Sequence, residues 1–350
     1  MTAALTPPTT PRSAAELVEV LRSRPGRIRL VGSGSRQQRL ADAGDAMRLQ
    51  LGGIAQIERL DAADQTCSVD CGVQRQELDA ALTAVGLELP CPGDGTLGGL
   101  FAGDAMGAAT AGGQCPRTLL LGMEAVLADG TAFKCGARVV KSVAGFDVHK
   151  LFVGSCGRLF VATRLHLRLQ PRPRAEQWFL QPDLDQERAL ALVTALRRLA
   201  VQPAALQLAR DQTGAFSVLG RLGGRATAVA AMLREHGLRA APASWRDHVA
   251  VAAAGEVLAG LVLPSVLPAL LQSLPAHAEF LWHGGGRCEI TSPSVAASDA
   301  MLATMTKLGM HGHVVHGAPL RRGVGTLRDA GHRHLEAALK KALDPHGILV

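Results

Sequence analysis

Residues 138 to 163 read Arg-Val-Val-Lys-Ser-Val-Ala-Gly-Phe-Asp-Val-His-Lys-Leu-Phe-Val-Gly-Ser-Cys-Gly-Arg-Leu-Phe-Val-Ala-Thr, and this stretch constrains the fold most tightly. Asp147 follows Gly145 closely and is of a type that caps a helix by accepting a backbone N–H at its start. The capped helix is expected to be short, with Val148, Leu151 and Phe152 on one face. Gly154-Ser155-Cys156-Gly157 ends it. A strand is expected from Leu159 to Leu169, its apolar residues alternating with Thr163, His166 and Arg168. A helix start beside bare glycine backbone suits an anion, because N–H groups and the helix dipole point the same way.

Two earlier stretches share this glycine-rich character. Ser13-Ala-Ala-Glu16 is a capping box opening a helix to about Ser23, and Arg27 to Val31 reads as a strand. Gly32-Ser33-Gly34-Ser35-Arg36 follows it. A nicotinamide-binding turn would need a third glycine and a following helix, and neither is present. An ordinary glycine turn competes with a diphosphate loop here. Farther on come Gly93, then Thr96-Leu97-Gly98-Gly99, Gly103 and Gly107. This glycine density exceeds the usual demands of packing and favours backbone donors aimed at an anion.

The pattern V-V-K-x-V-A-G-[FY]-D-x-x-K-L-x-V-G-S-x-G-x-L resembles the flavin-binding domain of the vanillyl-alcohol-oxidase, or PCMH, type. More narrowly it resembles the FAD-binding subunit of bacterial glycolate oxidase. Thr96 to Gly107 and the tail from Leu339 to Ile348 fit the same family in the same order. The resemblance implies an α+β fold: a PCMH-type FAD-binding domain of two α+β subdomains under a ferredoxin-like α+β cap. It places the FAD-binding domain at 1–172, the cap at 173–317 and a returning segment at 318–350. The implied cofactor is FAD. The implied contacts are Gly32, Ser33, Gly34, Ser35, Arg36, Gly93, Thr96, Leu97, Gly98, Gly99, Gly103, Gly107, Gly145, Asp147, Gly154, Gly157 and Val161. Lys141 and Lys150 would help hold the loop around Asp147, and an Arg is common in that subunit where Arg117 stands.

The implied reaction is oxidation of glycolate, a small 2-hydroxy acid, with flavin as the acceptor. Onward electron transfer would fall to partners, a second flavoprotein subunit and an iron–sulfur subunit. Two departures open alternatives. Phe160 stands where the family commonly has glycine near the adenine end of FAD, and Phe146 replaces a tyrosine. A non-catalytic or weakly flavinated assembly subunit is one alternative. A stand-alone FAD-linked 2-hydroxy-acid oxidoreductase is another. The family usually continues past its final Ile-Leu or Ile-Phe into Asn-Pro-Gly, a contact expected to be either missing or trimmed in the sequence to Val350.

Composition narrows the class further. The 350 residues are 47% hydrophobic and 19% charged, enough for a large core. Tyrosine is absent and aromatics are 3%, so Ala, Leu and Val must build that core. The net charge of +7 suits an anionic cofactor; without basic–aromatic interleaving or a known motif, nucleic acid is not expected. Seven unpatterned cysteines point to reduced, buried thiols and no iron–sulfur set. Residues 1–12 lack a secretory pattern, and the apolar run Val257 to Leu271 is broken by Gly260, Pro264 and Pro268. A cytoplasmic chain without an integral membrane segment is expected, any membrane association coming through partners.

Beyond Pro171 and Pro173 the rhythm becomes β-α-β-β-α-β, twice over. Trp282-His283 and the group His311, His313 and His316 are the polar candidates there. The histidines have no nearby carboxylate in sequence, so no metal is expected. Arg287 and Arg321 are candidates to clamp a carboxylate, with solvated surface charge as the competing reading. The catalytic residue stays unassigned.

Overall fold

The structure is a computed structural model that describes residues 9–23, 26–34, 46–105, 107, 111, 114–139, 146–242, 255–318 and 330–350. Lys141, Gly145, Ser35, Arg36 and Arg321 lie outside the described residues. Helix α1 (Ala14–Arg22) starts where the Glu16 amide donates to Ser13 Oγ at 3.1 Å. The Glu16 carboxylate accepts from the Arg12 amide at 2.8 Å, reaching one residue beyond the expected capping-box partner. Strands β1 (Ile28–Val31) and β2 (Met47–Gln50) pair in parallel. Thr9 bridges to β2 and Leu349 to β1, also in parallel, so chain from both ends joins this small sheet. Leu17 and Leu21 of α1 bury against Ile28, Leu49, Ile348 and Leu349.

Next come β3 (Ile57–Asp61), β4 (Thr66–Asp70), α2 (Arg75–Ala84), β5 (Leu87–Glu88), α3 (Leu97–Ala102) and α4 (Pro116–Leu119). Strands β6 (Leu120–Val126), β7 (Ala132–Gly136), β8 (Val161–Arg168) and β9 (Gln170–Pro171) complete the N-terminal half. Strands β3-β4-β8-β6-β7 form an antiparallel sheet in that order. Asp129-Gly130 turns β6 into β7, with Gly130 at φ +84° and Asp129 Oδ1 accepting from the Thr131 amide. Val161 packs with α1 and the small sheet, joining the two layers. Thr163 and His166 are buried, so β8 is covered on both faces and its polar residues are not a solvent face.

The expected cap at Asp147 is corrected. Val148–Phe152 is a 3-10 turn, and Asp147, at φ −75° and ψ 48°, makes no side-chain bond to its amides. That backbone is not the extended one that aims a capping carboxylate back at the helix. Lys150 secures the turn instead, its Nζ donating to the carbonyls of Arg117 and Leu120, while Arg117 Nη1 donates to Lys150 O at 3.1 Å.

The C-terminal half repeats one plan. Strand β10 (Ala175–Leu184), helix α5 (Gln186–Arg197), β11 (Ala205–Arg210), β12 (Phe216–Gly224), α6 (Ala226–Glu235) and β13 (Ala240–Ala241) form the first round. The second is β14 (Glu256–Leu261), α7 (Leu267–Gln272), β15 (Phe280–His283), β16 (Arg287–Ser292), α8 (Val295–Lys307) and β17 (Gly312–His316). One eight-stranded sheet runs β13-β10-β12-β11-β15-β16-β14-β17. Each round alone has the ferredoxin-like strand order, fourth-first-third-second, and the two meet where β11 pairs antiparallel with β15. The helices cover one face, burying Phe179, Leu208, Trp282, Ile290 and Val314. Arg221 on the other face pairs with Glu88 of β5 at 3.0 Å and with Glu176 at 2.8 Å, tying this sheet to the N-terminal half.

Helix α9 (Ala330–Leu343) returns to the N-terminal half. Buried Asp344 accepts from the amides of Ile348 and Leu349 at 3.0 and 2.8 Å, and Lys340 Nζ donates to it, to Arg158 O and to Leu349 O. All seven cysteines are free thiols. Burial pushes Cys67 and Cys288 up to about 12 and Cys135 up to about 11. No helix among the described residues is long and apolar enough to cross a membrane.

Two predictions follow from this packing. Asp344→Ala removes a buried charge and leaves two amides and Lys340 without their acceptor, so it should cost about 3 kcal/mol of stability. A denaturation midpoint equal to that of the parent protein would show that the tail is not held this way. Buried His166, bonded through Nδ1 to Ser68 Oγ at 2.9 Å, has its pKa lowered from 6.5 to about 4 by burial, with Arg138 acting in the same direction. The unfolded chain binds that proton more readily, so the neutral ring's contribution is intact above pH 6.5 and lost as pH falls toward 4. Thermal melts of His166→Asn should therefore lose less midpoint over that interval than the parent; equal losses would assign the acid sensitivity to other groups.

Candidate functional site

A cleft of about 1170 Å³ of empty space, partly open to solvent, runs between the small parallel sheet, helix α3 and the turn after Phe152. Gly32, Ser33 and Gly34 line it from the end of β1; Thr96, Gly98, Gly99 and Gly103 from around α3; and Cys156 and Gly157 from the central motif. Three stretches, the outermost more than a hundred residues apart in the chain, thus meet in one wall. Arg287, His313 and Val315 of the eight-stranded sheet face it from the other half.

The glycines are required by close approach. A Cβ on Gly32 would lie 2.3 Å from Thr96 Oγ1, and one on Gly98 would lie 2.9 Å from Cys71 Cβ and 3.1 Å from Cys71 O. Gly34 differs: its φ is +84°, and nothing stands within 4 Å of where a Cβ would be. It is glycine for conformation.

The expectation of free donors around α3 is corrected. The Leu97 amide donates to Val73 O at 2.9 Å, the Gly98 amide to Cys71 O at 2.8 Å and the Gly99 amide to Thr96 Oγ1 at 3.3 Å. Those of Gly154 and Gly157 donate to Phe101 O and Ser155 Oγ, both at 3.3 Å. These N–H groups knit the wall together, and the missing Cβ atoms give the cleft its room.

Other expected contact residues stand outside the cleft wall. Leu97 and Val161 are core side chains with 0% exposure. Asp147 is exposed, and Gly93, Gly107 and Gly154 are not in the lining. In the other half, Trp282 is in the core and His283 is buried with its Nδ1 3.0 Å from Gln207 Nε2. Of the three later histidines only His313 lines the cleft. Phe160 also stays out of it: its ring is fully buried, edge-on to Phe133 at 5.5 Å and stacked on Phe152 at 6.2 Å.

Two residues went unnoticed in the sequence. Cys71 lines the cleft and receives Gly98. Asp104 ends α3 at φ +45°, and burial holds its carboxyl above the usual range against the opposing pull of Arg287 and Arg117. The signal for Asp104 was a lone acid inside a glycine run, since Asp tolerates that backbone better than most residues.

The comparisons agree with this geometry. Residues 2–136 match the family described as "FAD binding domain". An uncharacterized FAD-linked oxidoreductase of Mycobacterium tuberculosis is 28% identical over 206 residues, covering 57% of this chain and 44% of that protein. Glycolate oxidase subunit GlcE of Escherichia coli is 32% identical over 124 residues, 34% of this chain and 35% of its own. D-lactate dehydrogenase of Archaeoglobus fulgidus is 33% identical over 140 residues, 38% of this chain and 32% of its own. The chain thus matches less than half the length of each. A solved structure of alkyldihydroxyacetonephosphate synthase superposes with a TM-score of 0.70 over 97% of this chain and 76% of that one, at 16% identity, which carries the fold alone. The N-terminal half is an FAD-binding domain of the PCMH type, and FAD is its cofactor. The stripped-down walls at Gly32 and Gly98 and the open turn at Gly34 fit such a group.

Gly34→Val should therefore strip FAD from the purified protein by about tenfold or more, with a stability cost to the FAD-free protein limited to about 1–3 kcal/mol of strain in its own turn, because the new side chain meets open space. Gly98→Val should destabilise the domain itself, since it strikes Cys71. A flavin content for Gly34→Val equal to that of the parent would remove this turn from the cofactor site.

Proposed function

We propose that this chain is the FAD-binding subunit of a glycolate oxidase-type enzyme, oxidising glycolate or a similar 2-hydroxy acid to the 2-oxo acid. The observation that carries the reading is that Arg287 and His313 line the same cleft wall, opposite the glycine-lined half. Bound FAD would supply two-electron acceptor chemistry, accepting the hydrogen that leaves the α-carbon. The turn at Gly32 to Gly34, the wall from Gly98 to Gly103 and Gly157 would hold it. Arg287 takes the substrate carboxylate, for which a planar guanidinium is suited. His313 takes the hydroxyl proton as the carbonyl forms.

The division at 1–172, 173–317 and 318–350 then corresponds to cofactor site, cap and returning tail. Electrons would pass to a second flavoprotein subunit and an iron–sulfur subunit; relatives named as glycolate oxidase subunits support a shared assembly. The assembly-only alternative drew on Phe160, whose ring is packed in the core and leaves the cleft clear.

Anaerobic glycolate or D-lactate should bleach the visible flavin bands of the purified protein. Arg287→Ala should raise the half-saturating acid concentration about a hundredfold, the expected loss when one partner of a charge pair is truncated. His313→Asn should lower the limiting rate by about 10² or more. A fully flavinated protein that none of the tested 2-hydroxy acids bleaches would overturn the reading.

A further inference from the structure

The sheet register places more than Arg287 and His313 on the cleft side. Ala259 of β14 pairs with Glu289 on one neighbouring strand and with His313 on the other. Residues paired directly across antiparallel strands share a face. Cys288, Ile290, Leu258 and Val314 point into the helix-covered core, so Arg287, Glu289, Ala259 and His313 all project toward the FAD-binding half. Between the two long side chains stands only the methyl group of Ala259, itself buried.

Within this row, Arg287 Nε and Nη2 both donate to Glu289 Oε1, at 3.4 and 3.3 Å. Both side chains are 14% exposed. A flexible arginine in a partly open cleft has many rotamers, and fixing it on binding costs on the order of 1–2 kcal/mol of side-chain entropy. A carboxylate already gripping one edge of the guanidinium removes much of that cost and leaves Nη1 outside the bond. Burial also makes the pair interdependent: without Glu289, the half-buried cation turns to other acids, and half-buried Asp104 lies within its electrostatic reach.

We propose that Glu289 is a positioning residue, which holds Arg287 in the orientation that receives the carboxylate of a small acid ligand. This inference rests on the reading of Arg287 as the carboxylate anchor, and it adds the residue that sets its geometry. Glu289 is not among the residues that line the cleft.

The test uses the flavinated full chain and two probes. The first is oxalate, a carboxylate that cannot be oxidised as a 2-hydroxy acid, titrated against the visible flavin bands. The second is anaerobic bleaching by glycolate. Glu289→Gln should weaken oxalate binding and raise the half-saturating glycolate concentration about tenfold, the scale of a lost charge-assisted bond, with unchanged FAD content. The loss in limiting rate should be smaller than this. In an Arg287→Ala background the same substitution should have no further effect, because its role runs through the guanidinium. Glu289→Asp, which keeps the charge, should recover part of the affinity.

Oxalate affinity in Glu289→Gln equal to that of the parent would overturn the proposal, as would a tenfold loss persisting in Arg287→Ala. Oxalate that fails to bind the parent protein would overturn it as well. A parent protein that binds oxalate through Arg287 but is bleached by no 2-hydroxy acid would overturn the catalytic reading alone, leaving Glu289 in its positioning role.

Discussion

The structure depends on main chain meeting main chain with no Cβ between. At Gly32 a single added carbon would stand 2.3 Å from Thr96 Oγ1, and at Gly98 it would strike Cys71. Those contacts bring the end of β1, the start of α3 and the chain beside Cys71 into one wall. The same wall is sewn by hydrogen bonds from Leu97 to Val73 and from Gly98 to Cys71. Dense glycine thus acts here mainly through volume. The amides around α3 that look available in the sequence are already bonded, which leaves a cradle whose width is set by what is missing.

Such a cradle is almost uncharged. The N-terminal half contributes glycines, Thr96, two thiols and the Phe152 ring to the cleft, and the Arg287 cation and His313 come from the other half. The duplicated sheet explains how the two strands flanking β14 can deliver both. Each ferredoxin-like round covers one face with helices and leaves the other bare, and fusing the rounds through β11 and β15 makes one broad bare face. On that face Arg221 pairs with Glu88 of the N-terminal half, and Arg287 lines the cleft.

Much of this was legible in the sequence where the cause is local. Ser13 starts its helix, Asp129-Gly130 makes its turn, and the two β-α-β-β-α-β rounds follow apolar periodicity within a few residues of each boundary. Failures came where a tertiary partner decides. Asp147 looks like a cap, yet the turn it precedes is a 3-10 turn fastened from outside by Lys150 to Arg117 and Leu120. Phe160 looked like an obstruction, yet Phe133 and Phe152 give its ring an apolar site away from the cleft. Arg287 read as one arginine among many, because its distinction is a position relative to Gly32 and Gly98, about 190 residues or more away in the chain.

Whether the cap acts as a wall or a lid turns on how firmly Arg287 is located. It sits at the foot of the hairpin Gly284 to Gly286, where a Cβ on Gly284 would come within 2.6 Å of Ala111 Cβ in the N-terminal half. Arg197 Nη1 donates to Gly284 O at 2.7 Å and its guanidinium lies 5.7 Å from the Trp282 ring centre, so the hairpin is also fixed from the helix side. Elsewhere on the sheet, the partly buried Arg221 pair with Glu88 makes a second attachment. Buried ion pairs contribute less to net stability than to fixing one arrangement over its neighbours. With one contact of main-chain closeness and one of charge, at separate places on the same sheet, rotation about either is opposed by the other. The Arg287 cation facing the glycine cradle is therefore set by the fold before any ligand arrives.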